Sequence, residues 1–514
     1  MRIPLMVRMN KTVTGGKVMK HWLLGAALVA VWQGFAAAPE LTAVADPLES
    51  YYPVQGRIVG TPKIHLNLFH REFGLAALSL YNPTQTTMYC RITASGFAGL
   101  KVTLREAVHI RARLGQLPAD VLPELSKDGV VAVPPGENRQ IFLEFDTRNG
   151  KAGTCRGLVT AVNLKDNSVV SREIFLDVIA QSLPSRHPLQ VMTWDCSLRR
   201  SSGKERDNLL AELQDHYVNN FHVLEMAPWK ADAEGNLVGI PDFSKLDPML
   251  KFLKGKGMLL LRCAAPNTKN APDIRSAAGA KAYGNFVKAL AAHMQEMGFD
   301  YSEYALYPLD ENTGDVFHAH AKAAKAADPK ILIYADPVKS KEEIKRLTVD
   351  GKYCEYMQFN AGFLRRQEVM EMARPHLKFI SAYWCPVIQK RLRPNWYRNM
   401  GHVAWRLNLN GIGYWTSLWM PGSDRWGVPW DDFRGKTASA VTVYPARHNE
   451  NVPSRRWKAF RAGLEDWLVF DLVRRKGNGA LLKKIDEALD PKKGSAEKVK
   501  RVRAESVEFL RKGN

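Results

Sequence analysis

Eight short apolar runs, separated by segments of helical spacing, constrain this chain more than any other feature. QVMTWDC, FHVLEM, MLLLRCAA, EYALYPLD, ILIYADP, EYMQFN, FISAYW and GIGYWTSLW succeed one another, and from Val191 to Leu418 they occupy 228 residues. ERDNLLAELQDHY, SKLDPMLKFLKGK, AKAYGNFVKALAAHMQEM and DVFHAHAKAAKAA stand between the first five, and their apolar positions repeat at helical spacing. Eight strand–helix units in a stretch close to the usual ~250 residues predict an α/β (β/α)8 TIM barrel. An open doubly wound sheet is the competitor, but no G-x-G-x-x-G follows the first strand.

The chain before this region has another grammar. KIHLNLF, LAALSLY, CRITASGF, KVTLREAVHIRA, QIFLEFDT, RGLVTAVNL and SREIFLDVIA are short and partly alternating, with turn signals such as Asn82-Pro83 and Pro134-Pro135-Gly136 between them. They predict an all-β sandwich over residues 41–183, with a short turn inside PADVLPELSK as its one helical trace. The linker from Leu183 to Pro188 leads into a barrel over residues 189–435, a barrel-completing segment 436–475 and a basic helical tail 476–514. The six cysteines include no C-x-x-C, so neither a zinc framework nor a stapled miniprotein fits. Cys90 and Cys155 either pair or remain two buried thiols; spacing alone does not choose.

Residues 1–38 read as a secretory signal peptide. Lys20-His21 leads into the 11-residue run WLLGAALVAVW, and Ala36-Ala37-Ala38-Pro39 offers an A-x-A-like cleavage site. The run is shorter than the roughly 20 residues that span a bilayer, which implies an exported, periplasmic or extracellular protein without a transmembrane anchor. Met19 is an alternative start. Removing Arg2, Arg8, Lys11, Lys17 and Lys20 takes the formal charge from +21 to +16. Such a surplus favours anionic partners, an acidic or sulfated glycan among them. The tail, however, mixes both signs at helical spacing, as a solvated helix does. Nucleic acid is the partner least suited to an exported protein.

Active sites of this barrel sit at the C-terminal ends of its strands. Those ends carry Asp195, Glu225, Asn267, Asp310, Glu311, Asp336 and Asn360. Single polar residues there have ordinary duties: Asp195 as a cap, Asp336 in a turn before Pro337, Asn360 in left-handed backbone. Asp310-Glu311 differs, because two consecutive carboxylates repel one another and cost desolvation unless chemistry uses them. They are the candidate catalytic pair. Within a regular strand they would face opposite ways, so both reach one pocket only where the strand flares into its loop. The competing duty is an N-cap for the helix that follows, which suits Thr313 or Asp315 better. Tyr383-Trp384 ends the seventh strand, and Tyr414-Trp415, Trp419, Trp426 and Trp430 follow the eighth. Flat aromatic faces suit the C–H face of a sugar, while carboxylates and amides bind its hydroxyls. Tyr383, Trp384, Tyr414, Trp415, Trp419, Asp195, Glu225, Asp336 and Asn360 are therefore the candidate substrate-binding residues for a carbohydrate. No H-E-x-x-H, P-loop or G-x-S-x-G occurs. His318 and His320 lie two apart on a helix and face apart, so no metal and no cofactor is expected.

Several motifs together, YPLDE, YADP, GIGYWTSLW with its following PW, and YPARHNENVPSRRWKAFRAGLEDW, resemble the barrel proteins grouped as domain of unknown function 4091, which are similar to glycoside hydrolase family 123. The resemblance runs from about Gln190 to Arg475, and the preceding sandwich suits the same architecture. It implies a retaining β-N-acetylgalactosaminidase that works by substrate assistance. Asp310 would orient and polarise the 2-acetamido group, and Glu311 would serve as general acid and then base. The chain departs from the family pattern at Asn312, where relatives often carry Pro, and in SAVTVYPA, which replaces a Gly-rich version of that strand. Arg455, Arg456, Arg461, Glu465 and Asp466 either bind substrate or pin the last helix to the barrel.

Two other readings remain open. One is a two-carboxylate retaining glycosidase, with Glu311 as acid/base and Glu225 or Asp336 as nucleophile about 5–5.5 Å away. The other is a non-catalytic glycan-binding protein. Converging Asp310 and Glu311 would favour an enzyme, and outward-facing carboxylates the binder.

Overall fold

The computed structural model describes residues 38–512 except 49–53, 98, 111–116, 196, 200, 339, 386–392, 418–440 and 446–450. The expected signal segment lies outside the described residues up to residue 37, and residues 38–514 form one compact unit.

Among the described residues ten strands precede the barrel: β1 (Glu40–Ala43), β2 (Ile64–His70), β3 (Phe73–Tyr81), β4 (Met88–Ser95), β5 (Lys101–His109), β6 (Ala119–Val121), β7 (Val130–Val133), β8 (Asn138–Asp146), β9 (Gly153–Asn163) and β10 (Val169–Ser182). Among the described residues they form two sheets, ordered β1-β3-β8-β5-β6 and β2-β10-β9-β4-β7. Leu78, Leu80, Ile141, Leu143 and Phe145 of the first sheet meet Ile92, Val159, Ala161, Ile174 and Leu176 of the second in one core. The pairing is antiparallel except for β2 with β10. β2 and β3 belong to different sheets, and the chain crosses between them at Arg71, where φ is +67°.

PADVLPELSK contains no helical turn: β6 adds as an edge strand to β5, drawn there by Asp120, whose carboxylate accepts from the Tyr444 hydroxyl at 2.6 Å. Cys90 and Cys155 do not pair. Cys90 stands opposite Asn163, eight residues along β9 from Cys155, which is roughly 25 Å at strand rise. Both are free thiols, Cys90 buried and Cys155 partly so.

The barrel strands are β11 (Gln190–Met192), β12 (Asn220–Val223), β13 (Met258–Arg262), β14 (Tyr304–Tyr307), β15 (Leu332–Ala335), β16 (Tyr356–Asn360), β17 (Phe379–Trp384) and β18 (Gly411–Tyr414). They form one parallel sheet in which β11 pairs with β18 and the order descends to β12. The remaining seam is bridged by Asn219: its N–H donates to Val191 O at 3.1 Å, and its Oδ1 accepts from Val191 N at 2.8 Å. The connecting helices are α1 (Gly203–Gln214), α2 (Asp247–Leu253), α3 (Ala277–Glu296), α4 (Asp315–Ala327), α5 (Lys341–Lys345), α6 (Gln367–Ala373) and α7 (Pro394–Arg406). The (β/α)8 barrel and the sandwich are thus both present.

Three helices close the chain: α8 (Arg455–Arg475), α9 (Gly479–Leu489) and α10 (Ala496–Lys512). α8 is buried nearly all round. Gly401 of α7 and Gly463 of α8 let their backbones touch; a Cβ on Gly463 would lie 2.1 Å from Arg398 O. Its apolar side chains, Trp457, Phe460 and Leu464, join the core around the barrel. Its charged ones turn largely to the sandwich. Arg456 holds Asp120, Arg461 and Lys458 hold Glu144, and Glu465 accepts from Phe73 N at 3.0 Å. Asp466 is held by Arg398 at 2.7 Å, His402 at 2.9 Å and Arg503 at 2.9 Å. Arg455 donates to the carbonyls of Pro47 and Ala119. These residues pin α8, and they pin it to the sandwich as much as to the barrel. No helix among the described residues is long and apolar enough to cross a membrane.

Candidate active site

Strand alternation decides which side chains look into the barrel. Met192, Leu260, Ala305, Tyr307, Tyr334, Tyr356 and Tyr383 gather in an interior cluster with Trp194, and Trp415 packs against it. Each aromatic doublet at a strand end is therefore split. Tyr383 faces inward and packs on Trp194 at 4.9 Å, whereas Trp384 turns to α7 and meets Trp396 edge-on. Trp415 faces inward, whereas Tyr414 is fully buried beneath Phe460 and Trp457, its hydroxyl 2.6 Å from that of Thr442. Trp384 and Tyr414 thus belong to the helix-facing layer. Trp419, Trp426 and Trp430 lie outside the described residues.

Asp310 and Glu311 come together because the strand ends before them. β14 stops at Tyr307, Pro308 and Leu309 lead away, and Glu311 takes left-handed backbone with φ +48°. That reversal lets two neighbours in sequence meet inward residues. The Tyr307 hydroxyl lies 2.6 Å from Asp310 Oδ1, and the Tyr383 hydroxyl donates to Glu311 Oε1 at 2.5 Å. Both carboxylates are exposed at the mouth. Neither caps a helix: the N-cap of α4 is Gly314, with no side-chain cap, and Thr313 donates to Glu343 at 2.8 Å.

Asp336, just beyond β15, is the third carboxyl group. It is 1% exposed. Its Oδ1 accepts from Glu311 N at 3.0 Å, and its Oδ2 lies 2.5 Å from the same Tyr307 hydroxyl that reaches Asp310. Burial pushes its carboxyl well above the usual carboxylate range, and the neighbouring Asp310 and Glu311 charges add to that against hydrogen bonds from Tyr307 and Glu311 N–H. Burial likewise raises the phenols of Tyr307 and Tyr383. Asn360 caps the turn after β16, its Oδ1 accepting from Gly362 N at 3.0 Å.

The other candidates lie around this cluster. Asp195 is buried and accepts from Ser417 at 3.1 Å, tying the ends of β11 and β18. Glu225 is paired with Arg199 at 3.5 Å. Asn267 makes a turn through Lys269 N. Three further inward residues carried no signal at a strand end: Tyr307, His222 and Arg262. The Arg262 guanidinium lies 4.9 Å over the Tyr307 ring, and the His222 ring lies 5.1 Å from it. Burial, with Arg262 nearby, depresses the His222 imidazole to about 3, so it is neutral. Alternate positions in each strand would have picked these out. Among the described residues no group of three or more His, Cys, Asp or Glu could hold a metal ion.

The fold is that of a family 123 glycoside hydrolase from Clostridium perfringens, a protein that hydrolyses glycolipid glycans: the TM-score is 0.66 over 92% of this chain and 98% of that one, at 11% identity. An endo-β-1,4-mannanase from Thermotoga petrophila aligns over 55% of this chain and 77% of its own, with TM-score 0.37 and 13% identity. A Bacteroides uniformis β-glucuronidase aligns over 84% and 49%, with TM-score 0.31 and 10% identity. No family model and no curated sequence matches the chain.

Proposed function

We propose that this chain is an exported glycoside hydrolase that cleaves β-linked 2-acetamido sugars from glycans with retention, using the substrate's own acetamido group as nucleophile. The observation that carries this reading is the convergence of Asp310 and Glu311 on one mouth, each against an inward tyrosine. The acetamido oxygen attacks the anomeric carbon while Glu311 protonates the departing oxygen, leaving an oxazolinium ion. Glu311 then takes a proton from water, which opens that ring from the opposite face. Asp310, beside the acetamido N–H, offsets the developing positive charge. Likeness of fold to a family 123 enzyme supports the reading. So does the state of the alternative nucleophiles: Asp336 is buried with both oxygens engaged, and Glu225 is paired with Arg199.

Aryl 2-acetamido-2-deoxy-β-D-galactosides and -glucosides, set against their 2-hydroxy counterparts, test it. Cleavage of the acetamido sugars alone, with retained configuration and inhibition by a thiazoline mimic, is expected. Glu311→Gln should lower turnover by roughly 10²–10⁴-fold, least for the best leaving groups, and Asp310→Asn should impair even those. Equal turnover of 2-hydroxy sugars or an inverted product would overturn it.

A further inference from the structure

The Tyr307 hydroxyl has one proton and two carboxyl groups beside it, at 2.6 Å for Asp310 and 2.5 Å for Asp336. It can donate to one of them only. With both ionised, the other contact would set a carboxylate oxygen against a phenolic lone pair at hydrogen-bond distance. The arrangement closes if one acid keeps a proton and donates it to Tyr307. Of the two, Asp310 is exposed at the mouth, whereas Asp336 is buried, and the charges acting on it most strongly, Asp310 and Glu311, share its sign. A buried carboxyl with no ion-pair partner among the described residues is most cheaply neutral.

We infer that Asp336 is a neutral carboxylic acid that positions both catalytic carboxylates: its O–H donates to Tyr307, whose O–H is thereby committed to Asp310, and its carbonyl oxygen accepts the Glu311 N–H. Its role as a positioning residue rests on the reading of Asp310 and Glu311 above; its protonation does not. The acid supplies a donor on one oxygen and an acceptor on the other, and both are spent within the protein. It is not a nucleophile and does not touch the sugar. Among the described residues the titratable groups around it are Tyr307 on β14, Tyr334 on β15, Tyr383 on β17, and Asp310 and Glu311 in the loop after β14. Tyr307 in turn carries His222 of β12 and Arg262 of β13 against its ring.

Asparagine reproduces the neutral acid, with Nδ2–H donating to Tyr307 and Oδ1 accepting from Glu311. Asp336→Asn should therefore keep kcat/KM on 4-nitrophenyl 2-acetamido-2-deoxy-β-D-galactoside within about 5-fold of the parent, the scale of one neutral hydrogen bond. Asp336→Ala should lose on the order of 10²-fold, mainly in kcat, because Asp310 and Glu311 lose their fixed positions. An Asp336→Asn enzyme as impaired as Asp336→Ala, though folded, would overturn the inference. Infrared difference spectra at neutral pH form the independent arm. A protonated-carboxyl band present in the parent and missing from Asp336→Asn supports the inference, and its absence from the parent refutes it. Should the parent cleave no 2-acetamido glycoside, the proposed activity fails while the infrared arm still decides the state of Asp336.

Discussion

Arg456→Met should destabilise the protein by about 3–5 kcal/mol, the usual cost of breaking a buried ion pair from one side. The Arg456 side chain is wholly buried, and the Asp120 side chain is 3% exposed. Its guanidinium donates to both Asp120 oxygens at 2.8–3.1 Å, to Val441 O at 2.6 Å and to the Tyr397 hydroxyl at 3.2 Å. Methionine replaces the stem but none of these donors, so Asp120 keeps only the Tyr444 hydroxyl from this set. Adding Asp120→Asn removes the stranded charge and should recover a substantial part of the loss. Urea unfolding of the parent, the two single variants and the double variant, followed by tryptophan fluorescence and by far-ultraviolet circular dichroism, supplies the four free energies. A loss below about 1 kcal/mol, the range of solvent-exposed pairs, would refute the reasoning. So would a double variant whose loss equals the sum of the single ones.

Tyr383→Phe keeps the ring on Trp194 and removes the donor to Glu311, so kcat should fall roughly 10–100-fold, the equivalent of one bond to a charged group, with the melting temperature nearly unchanged; steady-state kinetics and a thermal melt check both. Burial raises the Glu72 and Glu465 carboxyls, Glu465 to about 8, and the charges of Asp466 beside the first and Glu72 beside the second add to it. The folded state then binds protons that the unfolded chain has released, so this contribution is present at acid pH and fades as pH rises through about 8. Denaturation midpoints between pH 6 and 9 should fall for the parent and flatten for Glu465→Gln. Cys90 and Cys155 should both be alkylated in protein denatured without reductant, and a mass spectrum lacking either adduct would contradict the register of β4 and β9.

The strand–helix alternation was legible because each barrel strand is a compact apolar run, and the Asp310-Glu311 doublet because it closes one of them. Which member of Tyr383-Trp384 or Tyr414-Trp415 looks inward was not. Both positions are aromatic, and the phase of a strand is set by neighbours such as Gly411 and Gly413, whose positions leave room for Gln190 and Met192. Nor did α8 declare itself as interior. Its charges resemble those of a solvated helix until Asp120 and Glu144 arrive from hundreds of residues away. Local periodicity reports the face an element buries; it carries nothing about a partner so distant in the chain.

The barrel interior supports carboxylates because its centre is built of phenols. Barrels of this kind usually fill their centres with branched aliphatics, yet here β14, β15, β16 and β17 each send in a tyrosine. Tyr307 meets Tyr334 edge-on at 4.7 Å, and Tyr334 meets Tyr356 at 5.0 Å. A buried phenol left without a hydrogen-bond partner costs free energy. Tyr334 finds Gln358 at 2.8 Å, Tyr356 accepts from Asn220 at 2.6 Å, and Tyr307 and Tyr383 reach the carboxyl groups at the mouth. Interlocked rings fix the direction of each hydroxyl, so the donors that hold Asp310 and Glu311 are set by packing rather than by the loop. A loop with left-handed backbone at Glu311 keeps its shape only if something outside it holds its carboxylates, and the tyrosines of the barrel do so.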